Sequence, residues 1–509
     1  MLTNQIEKVG KFVKVNDKNL QLLFEKFSCY NTGEQIKQVK YNDLYYIGTY
    51  ELVKQFIEQN TYLRHKYQLP DFYSNLNEDI QVREKVGNYV LRDYQIETVK
   101  RALQRKYGVI AIATGGGKSL IIASIIHHLQ LPSIIVVPTK ALSEQFYSLL
   151  NELFPSEAGI VNGERKQINK YLVGTIHSLL KLDKTILKKY QAIFWDEAHS
   201  KQSDMFMEFE KRLYSVADIK YDLGFTGTLF RRLFGFKKKL QLLNYKINTL
   251  ATVGDFLFPN YEDFATYSLF GEPIIEITAK DLYKRGYLAV PVVYFEELKT
   301  KNNKILTFQN WRTCLKKFII KNSVRNKKII DWIITFHMYG LKSLTFSIEK
   351  EHIKHLVEML PAEIAKETLV VFGASQGMEY KWGSWKNVYI DYNKVREMVE
   401  DGTIKHLFAS QVLDVGFDIP SVNALILGFA GKSIIKIFQR IGRVLRRTDK
   451  KKVAFIVDFY DNTHIYLQRQ SEYRKGLFKL YDYKVISDKE TFLNLIKQQA
   501  ELLKEDNRE

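Results

Sequence analysis

The sequence predicts an α/β protein: two tandem parallel-sheet domains preceded by a small α+β module. Three observations predict it. Short apolar runs of strand length alternate with helix-length stretches twice over, from about residue 86 to 228 and again from about 291 to 470. A glycine-rich turn, Ala113-Thr-Gly-Gly-Gly-Lys-Ser119, sits between an apolar run and a helical stretch in the first series. The chain before about residue 85 lacks that alternation and carries one helical pattern, near Tyr50 to Asn60.

Length and composition agree with this. A chain of 509 residues has room for two or three domains, and an apolar fraction of 46% is enough for real cores. Lys and Arg number 76 against 57 Asp and Glu, a net charge of +19, which favours a polyanionic partner. The two cysteines, Cys29 and Cys314, lie far apart and form no zinc-type spacing, as expected of a reducing compartment. Met1 to Lys8 has no signal-peptide pattern and no apolar run is long enough to span a bilayer, so a cytoplasmic, intracellular setting is expected.

Taken in order, residues 1–85 read as an accessory α+β module. Its interleaved bases and aromatics, Lys37 to Tyr41 and Tyr62 to Tyr67, make it a candidate nucleic-acid contact surface. Residues 86–228 contain the apolar runs Val109–Ala113, Ser133–Val137, Tyr171–Gly174 and Ala192–Trp195. Residues 229–290 read as an irregular bridging segment with basic patches at Arg231-Arg232 and Phe236–Lys239. Residues 291–470 contain Ser343–Phe346, Thr368–Phe372, His406–Ala409, Ala424–Leu427 and Val453–Val457, and 471–509 read as a polar helical tail.

The chemistry concentrates in two clusters. Strand, glycine turn and helix in that order direct backbone N–H groups from Thr114, Gly115, Gly116 and Gly117 toward one point, where a helix N-terminus adds partial positive charge. A triphosphate fits there, with Lys118 reaching the β/γ-phosphates and Ser119 holding Mg²⁺. Ile112 stands where the general phosphate-loop pattern has its first glycine. Asp196-Glu-Ala-His199 follows a second apolar run; Asp196 would face the magnesium and Glu197 would orient the attacking water. Either cluster alone is a common turn. Both, in this order and each behind a strand, point to nucleotide binding.

Weaker motifs surround these. Leu91-Arg-Asp-Tyr-Gln95 precedes the loop, and a glutamine amide can read both edges of adenine. Thr139 and Lys140 open a helix where a phosphodiester could be gripped, and Thr175 and Ser178 end another strand with hydroxyls. Thr226-Gly-Thr228 is a polar turn after a further run. In the second series, Val412–Pro420 is followed by Phe438-Gln-Arg-Ile-Gly-Arg-Val-Leu-Arg446, in which Arg443 and Arg446 are three apart and so are expected on one helical face. Such a guanidinium pair can neutralise charge on a γ-phosphate. Gly428-Phe-Ala-Gly-Lys-Ser433 copies the loop ending, but no Asp-Glu strand follows it.

The ordered set Leu91–Gln95, Ala113–Ser119, Pro138–Lys140, Asp196–His199, Thr226–Thr228, Val412–Pro420 and Gln439–Arg446 resembles the superfamily 2 helicases, over about residues 86 to 470. Within them it is most similar to UvsW-type and RecG-like branch-migration helicases, and also to the motor of restriction translocases. The resemblance implies two RecA-like domains with ATP and Mg²⁺ between them. Arg92 and Gln95 would contact adenine; Gly416, Asp418, Gln439 and the finger residues Arg443 and Arg446 would complete the site from the second domain. His199 and Thr226 would couple ATP to the DNA path, and Thr139, Lys140, Thr175, Phe346 and Ser410 would touch its backbone. Branched DNA (forks, Holliday junctions, displacement loops) is the implied partner, in recombination, repair and replication. A duplex translocase that separates no strands, or an RNA helicase, shares the same motif set. Leu229 and Val444 depart from residues common at these positions, proline and glycine, without removing a chemical group.

Overall fold

The computed structural model describes residues 6–67, 69–72, 79–198, 204–227, 239, 243, 247, 250, 252–258, 261–299, 310–347, 349–373, 376–410, 419–428, 431 and 434–504. The chain divides into two compact units, Met1–Ala113 with Gly117–Ile277, and Thr114–Gly116 with Thr278–Glu509.

The first unit begins with the predicted α+β module. Strands β1 (Ile6–Val9), β2 (Phe12–Val15) and β5 (Tyr45–Tyr46) form a small sheet, and β3 (Cys29–Asn31) pairs with β4 (Ile36–Gln38). The helices Lys18–Phe27 and Ile47–Gln59 bury Leu20, Phe24, Phe27, Val53 and Phe56 in a core continuous with that of the following α/β sheet. Contact is close at Gly48, where an added Cβ would stand 1.8 Å from the carbonyl oxygen of Tyr267. A short hairpin, β6 (Lys85–Val86) and β7 (Tyr89–Val90), leads into the sheet.

That sheet has eight strands: β8 (Tyr107–Ile112), β9 (Ser133–Val137), β10 (Ala158–Val161), β11 (Lys166–Gln167), β12 (Tyr171–Thr175), β13 (Ala192–Asp196), β14 (Tyr221–Thr226) and β15 (Ile275–Ile277), in the order β11-β10-β12-β9-β13-β14-β8-β15. All neighbours are parallel except β10 and β11. Strands β9 and β13 are buried at every residue, as a parallel sheet covered on both faces requires.

The second unit holds a nine-stranded sheet: β16 (Val290–Lys299), β17 (Ser343–Phe346), β18 (Thr368–Gly373), β19 (Gln376–Lys381), β20 (Ser384–Tyr389), β21 (His406–Ala409), β22 (Ala424–Leu427), β23 (Val453–Asn462) and β24 (Lys484–Ile486). Its order is β20-β19-β18-β21-β17-β22-β23-β16-β24, parallel except for the antiparallel extension β18-β19-β20. All five strands expected in this region are present.

Two expectations about connecting segments need correction. The stretch 229–290 is not simply a bridge: its described part includes the helix Tyr261–Phe270 and the strand β15, which pairs with β8 and completes the first sheet. The last segment is not a helical tail either. It contributes β24, which pairs with β16, and the helix Lys489–Lys504, which buries Phe492 and Ile496 in the second core. β15 and β24 are only three residues long, and each pairs with a strand far away in sequence, β8 and β16. The other basic residues of the 229–290 stretch noted above, Arg231, Arg232, Lys237 and Lys238, lie outside the described residues.

Candidate nucleotide site

Parallel register gathers the first unit's motifs along one sheet edge. Asp196, the last residue of β13, is level with Phe225 of β14, and Thr226, the last residue of β14, is level with Ala111 of β8. The glycine turn leaves β8 immediately beyond, so turn and carboxylates are two strands apart, roughly 10 Å. Thr175 is level with Val137 on the other side, bringing the strand-end hydroxyl and the Thr139 helix start to the same edge. In open α/β sheets the carboxyl edge is where ligands bind.

The turn is built for backbone exposure. Gly115 and Gly117 have φ of 86° and 76°, and Gly117 caps the helix Lys118–Leu129. A Cβ on Gly117 would stand 2.5 Å from Nε2 of Gln95, so the tight approach and the left-handed conformation both require glycine. Gln95 is 3% exposed; its Oε1 accepts the backbone N–H of Arg92 at 2.9 Å, which fixes the start of the helix Asp93–Arg105 beside the phosphate turn. Lys118 Nζ reaches back to the carbonyl oxygen of Ile112 at 3.5 Å.

Asp196 is 6% exposed. Burial, reinforced by the neighbouring Glu197 carboxylate, pushes its carboxyl up to about 7, and Lys118 opposes that rise. Glu197 holds a left-handed backbone, φ 52°, a conformation that residues other than glycine rarely adopt. The Asp196 carboxylate and the Ser119 hydroxyl are oxygen donors of the kind that a divalent cation takes, so these two residues would hold one.

A second polar cluster lies beneath this edge, and sequence reading missed it. Lys11 of the N-terminal module, 3% exposed, is paired with Glu210 and with Asp222 Oδ2, the latter at 2.5 Å. Trp195 Nε1 donates to Asp222 Oδ1 at 2.8 Å, Tyr214 to Asp222 Oδ2 at 3.0 Å, and Tyr46 to Glu210 Oε2 at 2.6 Å. Burial alone would lower the Lys11 ammonium; the two carboxylates outweigh it and hold it charged. Trp195 directly precedes Asp196, so the module is tied to the strand that carries the site. The available signal was Asp222 itself, a charge inside a buried strand, but its partner is 211 residues away.

Other expected residues are distributed as follows. Thr139 Oγ1 accepts the N–H of Leu142 at 3.3 Å as a helix cap, and Lys140 pairs with Glu164. Thr175 Oγ1 donates to Ser178 Oγ at 3.2 Å. Thr226 is fully buried at the strand end. Phe346 and Ser410, expected at a nucleic-acid surface, are instead buried: Phe346 lies under the Arg440 guanidinium at 5.1 Å, and Ser410 Oγ donates to the carbonyl of Phe372 at 3.0 Å. Arg443 lies in the last turn of the helix Ile434–Val444, but Arg446 does not share that helix. The chain turns extended at Leu445, whose carbonyl accepts the N–H of Ala289, and Arg446 bridges to Leu288. The expectation of one helical face for both arginines is therefore corrected. His199, Thr228, Gly416 and Asp418 lie outside the described residues, as does the side chain of Gln439. In the second Gly-Lys-Ser stretch, the Gly428 carbonyl is occupied by Arg325 Nε and a terminal nitrogen, at 3.0 and 2.7 Å.

The chain is similar to several known proteins. The family model for the type III restriction enzyme, res subunit, matches residues 88–231. The chain is 25% identical over 403 residues to the DNA 3'-5' translocase XPB2 of Sulfurisphaera tokodaii, covering 74% of this chain and 85% of that protein. It is 23% identical over 395 residues to the ATP-dependent DNA helicase uvsW of Enterobacteria phage T4, covering 73% and 68%. Among solved structures, the fragment of an HsdR subunit of a type I restriction enzyme from Vibrio vulnificus aligns with a TM-score of 0.53 at 16% identity, over 79% of this chain and 69% of that one. That likeness is one of fold alone.

Proposed function

We propose, from the premise that the chain is an ATP-dependent superfamily 2 helicase of the UvsW/XPB type, that it is a DNA motor acting on branched DNA in recombination, repair and replication. The observation that carries the ATP half is the shared sheet edge, which places the glycine turn, Lys118, Asp196 and Glu197 within one charge environment. Backbone N–H groups of the turn bind the phosphates, Lys118 neutralises them, and Glu197 accepts a proton from the attacking water. Ser119 and Asp196 would hold Mg²⁺, which would supply further charge neutralisation when bound. Arg443 and Arg446 act on the γ-phosphate in the same scheme, and Gln439, Gly416 and Asp418 belong to it by resemblance.

DNA as the track is supported by what the relatives are named for and by the net charge of +19. Thr139, Lys140 and Thr175 lie at the sheet edge that carries the ATP site, so a backbone grip there would be mechanically close to hydrolysis. The test is ATP turnover with no nucleic acid, single-stranded DNA, linear duplex, a four-way junction and RNA. Selective stimulation by the junction is the expected result. Equal stimulation by linear duplex would replace branch migration with plain translocation, and stimulation by RNA alone would overturn the DNA reading.

A further inference from the structure

The antiparallel extension of the second sheet ends in an unusual residue. Strands β19 and β20 pair from Gln376↔Tyr389 to Lys381↔Ser384, leaving a two-residue turn, Trp382-Gly383. Both turn residues have positive φ, 51° and 78°. This is the geometry of the tight hairpin turn that asparagine or aspartate favours in its first position, because a short polar side chain tolerates the left-handed region. Trp382 occupies that position instead, and its side chain is 91% exposed, more than any other described large apolar residue. A bulky indole is thus kept where the backbone disfavours it and where water surrounds it.

The rest of the hairpin is anchored to the core. Trp385, three residues on, packs against the second core with its Nε1 donating to the carbonyl of Val357 at 3.2 Å. Tyr380, its cross-strand partner, meets it edge-on, with ring centroids 5.6 Å apart. Met378 is buried on the same face. One tryptophan therefore anchors the hairpin and the other is held out by it. Around the tip, Lys381 and Lys386 are exposed, with Glu379 paired to Lys381 at 2.6 Å. Besides the indole, the tip consists of Lys381, Gly383 and Ser384, so it offers no apolar patch of the breadth a protein groove or lipid surface would use.

We propose that Trp382 is a stacking platform for one unpaired or terminal nucleobase of a nucleic-acid strand, with Lys381 and Lys386 beside the strand's phosphates. A lone, flat, preorganised aromatic flanked by lysines offers a base a π-face without sequence preference. The inference rests on the motor reading above and adds a base contact to it.

The test compares wild type, Trp382→Asn and Trp382→Phe in the full chain, using oligonucleotides with 2-aminopurine in a single-stranded tail, as DNA and as RNA. Asparagine suits the turn, so Trp382→Asn melts no lower than wild type. It binds the tail roughly 5- to 100-fold more weakly and loses the stacking-induced change in 2-aminopurine fluorescence. Trp382→Phe keeps most of both. Unchanged binding and fluorescence in Trp382→Asn would overturn the platform while leaving the motor reading intact. Failure of the wild type to bind either nucleic acid would overturn both. Loss of wild-type Trp382 exposure on phosphatidylglycerol vesicles but not on DNA or RNA would reassign the hairpin to a membrane surface and overturn the proposal.

Discussion

The two units bury their polar groups in opposite ways. In the first, two buried carboxylates, Asp222 and Glu210, share Lys11, and the buried Asp196 feels both Lys118 and the half-buried Glu197. Its Glu51, bonded to Arg105 at 2.6 Å, is nonetheless pushed up to about 7 by burial. In the second, Asp461 has Arg325 at 2.7 Å and Asp458 has Arg474 at 2.7 Å. Its buried His352 and His406 are pushed down to about 3 by burial and sit in neutral hydrogen-bond pairs with Ser347 and Ser343. In the first unit, burial pushes carboxyls up toward neutrality, whereas in the second it pushes imidazoles down and pairs Asp458 and Asp461 each with an arginine.

The largest effect that could break this contrast is catalytic. Glu197→Gln should lower ATP turnover by about 100-fold or more while nucleotide binding persists, because it removes proton acceptance and leaves the phosphate turn intact. Unchanged turnover would remove Glu197 from the mechanism.

Next in size are the buried cations. Lys11→Met strands two carboxylates and should cost about 3–5 kcal/mol in urea unfolding; Arg325→Met strands one carboxylate, Asp461, together with the Gly428 carbonyl, and should fall at the lower end of that range. Equal losses would mean that a cation shared by two buried carboxylates matters no more than one paired with a single carboxylate.

Acid should then act on the units with opposite sign. The folded values of His352 and His406 lie below the ordinary 6.5, so the stability they give the second unit is complete above that pH and is lost as pH falls from 6.5 toward 3. At pH 5 each contributes a loss of about 2 kcal/mol, 1.5 units at about 1.4 kcal/mol per unit. Glu51 is raised from 4.5 to about 7, so its contribution is present below 4.5 and is lost as pH rises through 7, up to about 3 kcal/mol. Hydrogen exchange resolved by unit, between pH 5 and 7.5, should show the second unit weakening and the first strengthening on acidification.

The smallest effect separates two helix caps. Thr139→Ala and Asn322→Ala each remove a side chain that accepts an N–H at the start of a helix, from Leu142 and Arg325, and each should cost about 1 kcal/mol. Only Thr139→Ala should also weaken DNA binding. Equal binding by both variants would confine Thr139 to capping.

Much of this was legible in the sequence because it is local. The phosphate turn and the Asp196 pair each sit within a few residues of the strand that positions them, and apolar runs such as Ser133–Val137 and His406–Ala409 fall on observed strands. What was illegible is long-range. Lys11 meets Asp222 only after the N-terminal module docks, and β15 and β24 are three-residue strands whose pairing no local pattern announces. The separation of Arg446 from its helix comes from a bridge to Leu288, a partner about 160 residues earlier. Burial of Phe346 and Ser410 follows from contacts with Arg440 and Phe372 that spacing does not reveal.

The most direct test of the central claim is displacement of a third strand from duplex DNA by the purified chain, with ATP and Mg²⁺, beside Glu197→Gln. The account predicts ATP-dependent displacement by the wild type and none by the variant. Hydrolysis stimulated by DNA with no displacement, or equal displacement by both proteins, would contradict a motor driven from the Lys118, Asp196 and Glu197 edge.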